Sequence, residues 1–157
     1  MTQNLEDPVE LLLEVLRRGG HRVTSERVEV FDHLLGVQRP TTRSEIATEM
    51  RGKGIHAPTV YRTIDLFVAL GVIQPMSSVS GDTTYELLPP FASHHHHFRC
   101  LRCGVTLAID AKAEEKVLRE MEDGLPGVPL YHQMDIFGNC FKCLESLAAT
   151  AAPSIGR

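Results

Sequence analysis

Residues 58–87 read PTVYRTIDLFVALGVIQPMSSVSGDTTYEL, and the spacing of their apolar side chains changes part-way along. Before Gly71 the apolar residues recur at helical spacing, and the leading proline suits the first turn of a helix. After Gly71 the runs Val72–Met76 and Thr83–Leu87 flank the turn-forming residues Ser80-Gly-Asp82. Short apolar runs around such a turn are typical of a β-hairpin. The stretch therefore predicts a helix followed directly by a hairpin.

Three further helices are predicted upstream of this stretch. Asp7-Pro-Val-Glu10 supplies a cap, a first-turn proline and an early acid for the first helix, which Gly19-Gly20 ends. Thr24 is the expected cap of the second helix, and Thr42-Arg-Ser-Glu45 is a capping box that opens the third. Three helices, a recognition-type helix and a hairpin, in that order, are typical of a winged-helix domain.

The recognition-type helix is predicted to have an apolar and a polar side. The apolar side consists of Val60, Ile64, Phe67 and Val68. Thr59 and Arg62 face the other way, with Tyr61 on the flank, and such side chains reach base edges or phosphates in a major groove. Arg22 is a candidate for a phosphate or minor-groove contact. An ordinary solvated helix remains the alternative, and Arg27 suits an internal ion pair as well as a phosphate.

Charge and size allow a DNA-binding half. The chain has 157 residues and a net charge of −4, but nine basic and only five acidic residues lie between Arg17 and Arg62. This local positive excess permits binding to nucleic acid without requiring it. The length suits one domain or two small ones, and the apolar runs are too short to span a bilayer.

All four cysteines lie in two pairs, Cys100-Leu-Arg-Cys103 and Cys140-Phe-Lys-Cys143. Two such pairs supply four thiolates to one tetrahedral Zn²⁺ and leave no open coordination position, so they predict a structural zinc site. Disulfides are an alternative, but no secretory signal is present and a reducing compartment is expected. A thioredoxin-type redox pair is disfavoured because no βαβ pattern surrounds either motif.

The second half of the chain alternates strands and a helix. The pattern predicts strands at His94–Cys100, Val105–Ile109 and Tyr131–Phe137, with an amphipathic helix at Ala111–Glu122 between the last two. Pro89-Pro90 breaks both helix and sheet pairing and indicates a hinge. We expect an α+β fold in which a small α/β domain follows an N-terminal winged helix-turn-helix. The predicted boundaries are 1–88 for the winged helix, 89–93 for the hinge, 94–148 for the metal-binding domain and 149–157 for a flexible tail.

The four consecutive histidines, His94–His97, are expected to serve two metal sites. Side chains alternate along a strand, so His94 and His96 face one way and His95 and His97 the other. A set of three imidazoles and one carboxylate is predicted on the first face, formed by His94, His96, Glu115 and His132. On the other face Glu86, which precedes the hinge, is predicted to join His95 and His97. A merely polar, metal-scavenging tract is the alternative for both.

The remaining ionisable residues near these motifs are expected to be solvated. Glu114, Asp110 and Asp135 are interpreted as surface carboxylates. His21, His33 and His56 lie singly in the helical half and are interpreted as surface histidines, with a phosphate contact as the alternative for His56.

Several motifs together resemble the ferric-uptake-regulator (Fur) family. They are Gly20-His-Arg-Val-Thr-Ser-Glu-Arg27, Thr59-Val-Tyr-Arg62, Gly71-Val-Ile73, His94–His97 followed by Cys100-Leu-Arg-Cys103, and Gly138-Asn-Cys140. The resemblance runs from about Gly20 to Cys143. It implies a homodimeric, metal-responsive transcriptional repressor with a winged helix and an α/β dimerisation domain. It also implies that the four-cysteine zinc is structural, that Glu86, His95 and His97 form a hinge site, and that the other histidine set forms a site in the dimerisation domain. Tyr61 and Arg62 match the DNA-contacting pair of the family.

The chain departs from the family pattern at two positions. Pro40 stands about where many members have a histidine that completes the hinge site, and Ala108 stands where peroxide-sensing members have a carboxylate. Peroxide sensing is therefore disfavoured. No cysteine is left over for a sensory site, which favours Fe²⁺ or Mn²⁺ as the regulatory metal, although the all-histidine tract also resembles some zinc sensors.

We therefore expect a cytoplasmic repressor, not an enzyme, that binds a double-stranded DNA operator as a homodimer and needs no membrane or small-molecule substrate. A zinc hydrolase is a remote alternative, because it requires an open coordination position and a general base that is not itself a ligand. A metal-buffering protein is another, and it would have no use for Thr59–Arg62.

Overall fold

The computed structural model describes residues 7–37, 39–93, 95–110, 120–121, 124–128, 132 and 134–151. The chain divides into two compact units, residues 1–94 and 95–157. None of the helices in these described parts is long and apolar enough to cross a membrane. The mixture of helices with sheets whose strand pairs are mostly antiparallel confirms the expected α+β class.

The first unit has the element order that the sequence predicts, with one short strand added. Its elements are α1 (Pro8–Arg18), α2 (Ser25–Val37), β1 (Thr41–Thr42), α3 (Arg43–Arg51), α4 (Ala57–Ala69), β2 (Ile73–Ser77) and β3 (Thr83–Leu87). The strands form one antiparallel sheet in the order β1-β3-β2. The strand β1 was not predicted, because two threonines, the second of which opens the capping box, carry no periodic signal of their own.

The predicted helix caps are present. The carboxylate of Asp7 accepts a hydrogen bond from the Val9 amide at 2.9 Å, and the Thr24 hydroxyl lies 3.4 Å from the Arg27 amide that donates to it. At α3 the Thr42 hydroxyl accepts from the Glu45 amide while the Glu45 carboxylate accepts from the Thr42 amide. These bonds satisfy first-turn amides that have no partner within a helix.

The transition from α4 into β2 depends on Gly71. This residue has φ +68°, in the left-handed region that glycine adopts without steric cost. The Gly71 amide donates to the Val68 carbonyl and the Val72 amide donates to the Phe67 carbonyl, at 3.1 and 2.9 Å. This pair of bonds is the Schellman ending of a helix, and it turns the chain directly into the hairpin.

The core of the first unit lies between the helices and the sheet. Leu12 and Leu16 of α1 are completely buried, as are the predicted apolar residues Val60, Ile64 and Phe67 of α4. Phe31 of α2 meets Phe67 and Phe91 edge-on, with ring centroids 6.4 and 5.6 Å apart. Burying an aromatic side chain of this size stabilises a fold by about 1.5–3 kcal/mol, so this cluster is a large part of what holds α2 and α4 together.

One polar cluster ties the start of α3 to its neighbours. Arg43 donates from Nε to the Tyr85 hydroxyl at 2.7 Å, and its guanidinium lies 5.1 Å from the centre of the Tyr85 ring. The same guanidinium forms an ion pair with Asp65 of α4. Arg43 therefore connects α3, α4 and β3, the recognition-type helix and the two elements beside it.

The second unit is a small sheet followed by a helix. Its described elements are β4 (His95–Cys100), β5 (Thr106–Asp110), β6 (Asp135–Gly138) and α5 (Phe141–Ala151). β4 is central, antiparallel to β5 and parallel to β6. The third strand is shorter than predicted, because pairing with β4 begins only where His97 faces Asp135, and the described residues His132 and Met134 precede it.

Two other predictions for this half had different outcomes. In the predicted helix Ala111–Glu122 only Glu120 and Met121 are described, and both are helical; the rest lies outside the described residues. The helix α5 was missed, although Phe141, Leu144 and Leu147 recur at helical spacing. It continues to Ala151, within the segment that was expected to be a flexible tail, and residues 152–157 lie outside the described part.

Candidate metal centres and nucleic-acid interface

The parallel pairing of β4 with β6 places the two CxxC motifs at one edge of the sheet. Cys100 ends β4 and stands opposite Gly138, the last residue of β6. The Leu101 amide donates to the Gly138 carbonyl at 2.8 Å, so the loops that leave the two strands adjoin. Gly104, at φ +73°, supplies the left-handed residue that the first CxxC turn needs.

The four sulfur atoms form a compact cluster. Cys100 Sγ lies 3.8 Å from Cys143 Sγ, and Cys103 Sγ lies 3.8 Å from Cys140 Sγ. All four lie within 4.8 Å of one another. A tetrahedral Zn²⁺ with Zn–S bonds of about 2.3 Å places its thiolates about 3.8 Å apart, which matches these distances.

The disulfide alternative does not fit this arrangement. A disulfide joins its sulfurs at about 2.05 Å, and all four cysteines are free thiols. The donor set is closed, because four thiolates fill a tetrahedral shell and leave no position for a substrate. These four residues therefore fit a structural zinc ion.

Hydrogen bonding within the cluster shifts the pKa values of two of the four thiols in opposite directions. Amide hydrogen bonds, first from the backbone of Cys103 and then of Cys140, lower the pKa of Cys100 to about 6. The neighbouring Cys140 thiol, followed by burial, raises the pKa of Cys143 to about 12. A divalent cation at the centre of the cluster would stabilise all four thiolates at once.

The histidines of β4 alternate between two faces. His95 and His97 have ring centroids 4.9 Å apart, and His97 is only 3% exposed. His96 is 1% exposed, and its ring centroid lies 5.3 Å from that of His132. The rings of His96 and His132, two members of one predicted metal set, are thus in close contact. His132 lies in the segment that precedes β6.

The predicted metal sets also include Glu86, His94 and Glu115. Glu86 is in β3, in the first unit, and is 6% exposed, which is unusual for a carboxylate. His94 and Glu115 lie outside the described residues, and the four-residue set that includes them remains a prediction.

Asp135 is not the solvated carboxylate that was expected. Its side chain is 19% exposed, and its Oδ1 accepts a hydrogen bond from Arg99 Nε at 2.9 Å. Arg99 is 1% exposed. An arginine at an inward position of a strand is the sequence signal that could have indicated a buried acidic partner.

The α4 helix presents the polar side chains that were predicted to meet DNA. Tyr61 and Arg62 are exposed and Thr59 is partly buried. The Arg62 guanidinium lies 3.4 Å from the Thr59 hydroxyl, to which it donates. Val60 and Phe67 on the opposite side are completely buried, so α4 is held by its apolar face and leaves its N-terminal polar face open.

Arg22 and Arg27 have different environments. Arg22 is exposed, as a phosphate contact requires. Arg27 donates through its guanidinium to the Arg22 carbonyl. This bond supports the alternative of an internal role for Arg27. The partner is a backbone carbonyl, whereas an ion pair was expected.

His33 differs from the expected surface histidine. Its Nε2 is buried and has no hydrogen-bond partner among the described residues. Burial lowers the pKa of His33, and the nearby Glu49 carboxylate partly offsets that effect. The neutral imidazole is thereby favoured.

Comparison with known proteins identifies the family. A sequence model of the Ferric uptake regulator family (FUR) matches residues 18–136, most of the chain. The chain belongs to the ferric uptake regulator family. The Ferric uptake regulation protein of Staphylococcus epidermidis is 30% identical over 136 residues, which cover 83% of this chain and 92% of that protein. The resemblance noted in the sequence is thus confirmed, and the chain is a metal-responsive transcriptional regulator of the Fur family.

Solved structures share the fold. The Helicobacter pylori ferric uptake regulator Fur, described with three functional metal binding sites, has a TM-score of 0.71 and 23% identity, covering 90% of this chain and 95% of that chain. A zinc uptake regulator complexed with zinc and DNA has a TM-score of 0.55 and 19% identity, covering 94% and 99%. At such identities the likeness concerns the fold alone.

Proposed function

We propose that this Fur-family chain is a cytoplasmic repressor that binds operator DNA as a homodimer when Fe²⁺ or Mn²⁺ occupies a site formed by Glu86, His95 and His97. The observation that carries the proposal is the pair of adjacent imidazoles on one face of β4, just past the Pro89-Pro90 segment. Because the family consists of transcriptional regulators, we also propose that the chain is not an enzyme.

The donor set supports a regulatory metal. His95 and His97 supply two nitrogens from one strand face, and Glu86 supplies a carboxylate from the other unit. Two imidazoles and one carboxylate suit first-row divalent ions. When bound, such an ion joins the wing strand to β4 and so restrains the hinge between them. A ligand that binds one hinge geometry better than another shifts the population toward it.

The choice of metal follows from the softness of the donors. All four cysteines belong to the structural cluster, so none remains for the regulatory site. Oxygen and nitrogen donors without sulfur favour Fe²⁺ or Mn²⁺ over softer ions. The all-imidazole tract His94–His97 supports zinc sensing as the second candidate, because imidazole also binds Zn²⁺ well.

A second metal site is proposed on the other face of β4. It would consist of His94, His96, Glu115 and His132. The buried His96 ring close to His132 supports two of its four members.

We propose that two copies of α4 read a pseudo-palindromic operator. Thr59, Tyr61 and Arg62 would meet the major groove and Arg22 a phosphate or the minor groove. The exposure of Tyr61, Arg62 and Arg22 supports this, and so does the solved complex of a zinc uptake regulator with zinc and DNA, whose fold this chain shares. Two-fold protein symmetry matches a palindromic site.

The homodimer is proposed to form through the second unit. That unit exposes many large apolar side chains, among them Leu107, Ile136, Phe137, Phe141, Leu144 and Leu147. An apolar surface of this extent is typical of an interface between protein chains.

The test is operator binding at buffered free Fe²⁺, Mn²⁺ and Zn²⁺, under anaerobic conditions and at fixed salt. Salt is fixed because phosphate contacts make affinity steeply dependent on ionic strength. We expect tight binding with Fe²⁺ or Mn²⁺ and its loss in Glu86→Gln and in His97→Ala. Tight binding with Zn²⁺ alone would select the zinc-sensing candidate, and operator affinity that ignores all three ions would refute the proposal.

A further inference from the structure

Arg99 is the largest side chain that is almost completely buried in the described part of the chain. Removing a guanidinium from water costs several kcal/mol unless an anion compensates it, so a partner of opposite charge is required. Asp135 is that partner, with its Oδ1 2.9 Å from Arg99 Nε. The pair joins the central strand β4 to β6.

The register of the sheet also places the Asp135 carboxylate beside the histidine tract. In the parallel pair β4–β6, Asp135 stands opposite His97. Arg99 follows His97 by two residues and therefore lies on the same face of β4. Asp135 is thus next to two side chains on the same face of β4: His97, a candidate metal ligand, and Arg99, a buried cation.

The same carboxylate oxygen lies near both neighbours. Asp135 Oδ1 lies 3.7 Å from Nδ1 of His97, in addition to its bond with Arg99. That distance is longer than a direct hydrogen bond, so the carboxylate neighbours the imidazole without bonding to it directly in this structure. The His97 side chain is 4% exposed, so water does not screen the interaction strongly.

A histidine that binds a metal through one ring nitrogen usually donates its other N–H to a carboxylate or carbonyl, which fixes the tautomer and the ring orientation. Asp135 lies on the Nδ1 side of His97, so in this arrangement Nε2 would be the ligand atom. We propose that Asp135 is the positioning residue for His97 at the regulatory metal site, and that Arg99 holds the Asp135 carboxylate in place for this role. This inference rests on the proposed function of that site.

The Arg99–Asp135 pair disfavours a move of Asp135 Oδ1 onto the metal. A carboxylate engaged with a buried guanidinium loses that interaction if it moves to an ion. The proposed role of Asp135 is therefore to act through His97.

The experiment measures regulatory-metal affinity, by Mn²⁺ titration, in the full-length protein with its cysteine zinc retained. All variants carry His132→Ala, which removes a proposed ligand of the other histidine site. The matched set is Asp135→Asn, His97→Ala and the double variant Arg99→Met with Asp135→Leu. The double variant guards against misfolding, because replacing a buried ion pair by apolar residues is often neutral for stability. Besides Mn²⁺ affinity, two properties are measured without Mn²⁺. They are the His97 tautomer, from long-range ¹H–¹⁵N spectra, and the midpoint of thermal unfolding.

We expect Asp135→Asn and the double variant to weaken Mn²⁺ binding about 10–100-fold, the usual effect of losing an outer carboxylate. The His97 ring should carry its proton on Nδ1 in the parent and lose that preference in the double variant. Unchanged affinity and tautomer, with only the unfolding midpoint lowered, would mean that Asp135 merely pairs with Arg99. If His97→Ala also leaves Mn²⁺ affinity unchanged, the regulatory site itself is wrong and this inference falls with it; a strong effect of His97→Ala alone overturns only the role of Asp135.

Discussion

Arg43 Nε donates a hydrogen bond to the Tyr85 hydroxyl at 2.7 Å, which links the first residue of α3 to the middle of β3. The same guanidinium reaches Asp65 on α4. The recognition-type helix is thus attached to the wing by a polar contact as well as by its apolar face.

Removing the Tyr85 hydroxyl tests that link. Tyr85 is 5% exposed and the Arg43 side chain 36% exposed, so Tyr85→Phe removes the acceptor of one partly buried N–H of a charged group. We expect the free energy of unfolding to fall by about 1–2 kcal/mol, the usual cost of losing a hydrogen bond to a charged group. Chemical denaturation measures it, with the exposed Tyr61→Phe as control. Equal stability of both variants would show that the Arg43–Tyr85 bond contributes nothing.

The cysteine cluster predicts one tightly held zinc per chain. Cys143→Ser should abolish stoichiometric zinc, because a closed tetrahedral site needs all four thiolates for its full affinity. The zinc-free protein should unfold at a lower temperature, since zinc binding contributes to the stability of the second unit. Elemental analysis and thermal unfolding test this, and His132→Ala should retain its cysteine zinc. Retention of one zinc by Cys143→Ser would contradict the assignment.

The capping box of α3 predicts a pH-dependent contribution to stability. Hydrogen bonds from the Thr42 backbone, then from the Thr42 hydroxyl and Arg39, hold the pKa of Glu45 below its ordinary value. A lowered folded-state pKa stabilises the fold above the unfolded-state pKa of about 4.3, and that contribution is lost as the pH falls through the folded-state value.

We therefore expect Glu45→Ala to cost about 1 kcal/mol at pH 7, with a smaller difference from the parent below about pH 4. Glu45→Gln keeps the hydrogen bonds without the charge and should be intermediate at pH 7. Denaturation at a series of pH values measures both, with the exposed Asp32→Asn as control. A difference that grows on acidification would contradict the sign.

Arg62 is expected to contribute to DNA affinity and not to stability, because its side chain is exposed. Arg62→Ala should weaken operator binding at fixed salt. If Arg62 contacts a phosphate, the slope of log affinity against log salt should decrease by about one. Fluorescence anisotropy measures both, and Arg18→Ala on α1 is the matched control for loss of an exposed arginine. Identical binding by the two variants would remove Arg62 from the interface.

The exposed apolar residues predict the position of the dimer interface. Leu107 is 49% exposed on β5, and Leu107→Glu should increase the monomer fraction because it places a charge within an apolar contact. Light scattering coupled to gel filtration measures the mass, with Leu125→Glu as control outside the sheet. A mass unchanged by Leu107→Glu at low protein concentration would place the interface elsewhere.

Local signals predicted the first unit well. The caps at Asp7, Thr24 and Thr42 and the apolar side of α4 rest on interactions between residues only three or four apart, and such patterns are visible in a linear sequence. The same reasoning did not find β1, which is a strand only because it pairs with β3. It also placed the start of the third strand of the second unit too early, because parallel pairing with β4 decides where β6 begins.

The sequence identified the candidate metal ligands, but it did not reveal which other side chains surround them. Adjacent histidines on alternate faces and two CxxC pairs follow from strand geometry and spacing. The Arg99–Asp135 pair did not, since the partners are 36 positions apart and Asp135 has no local feature that distinguishes it from a solvated acid. His33 was misjudged for the same reason, because packing around its imidazole buries Nε2.

By itself the sequence determined the helices of the first unit, the hairpin after Gly71 and the zinc-binding character of the cysteines, because short-range hydrogen bonding and donor chemistry act within a few residues. The tertiary structure alone decided that four sulfurs converge within 4.8 Å and that one aspartate faces both a buried arginine and a histidine of the metal tract. Those relationships depend on which strands pair and in which register, and pairing between distant segments is a property of the whole fold.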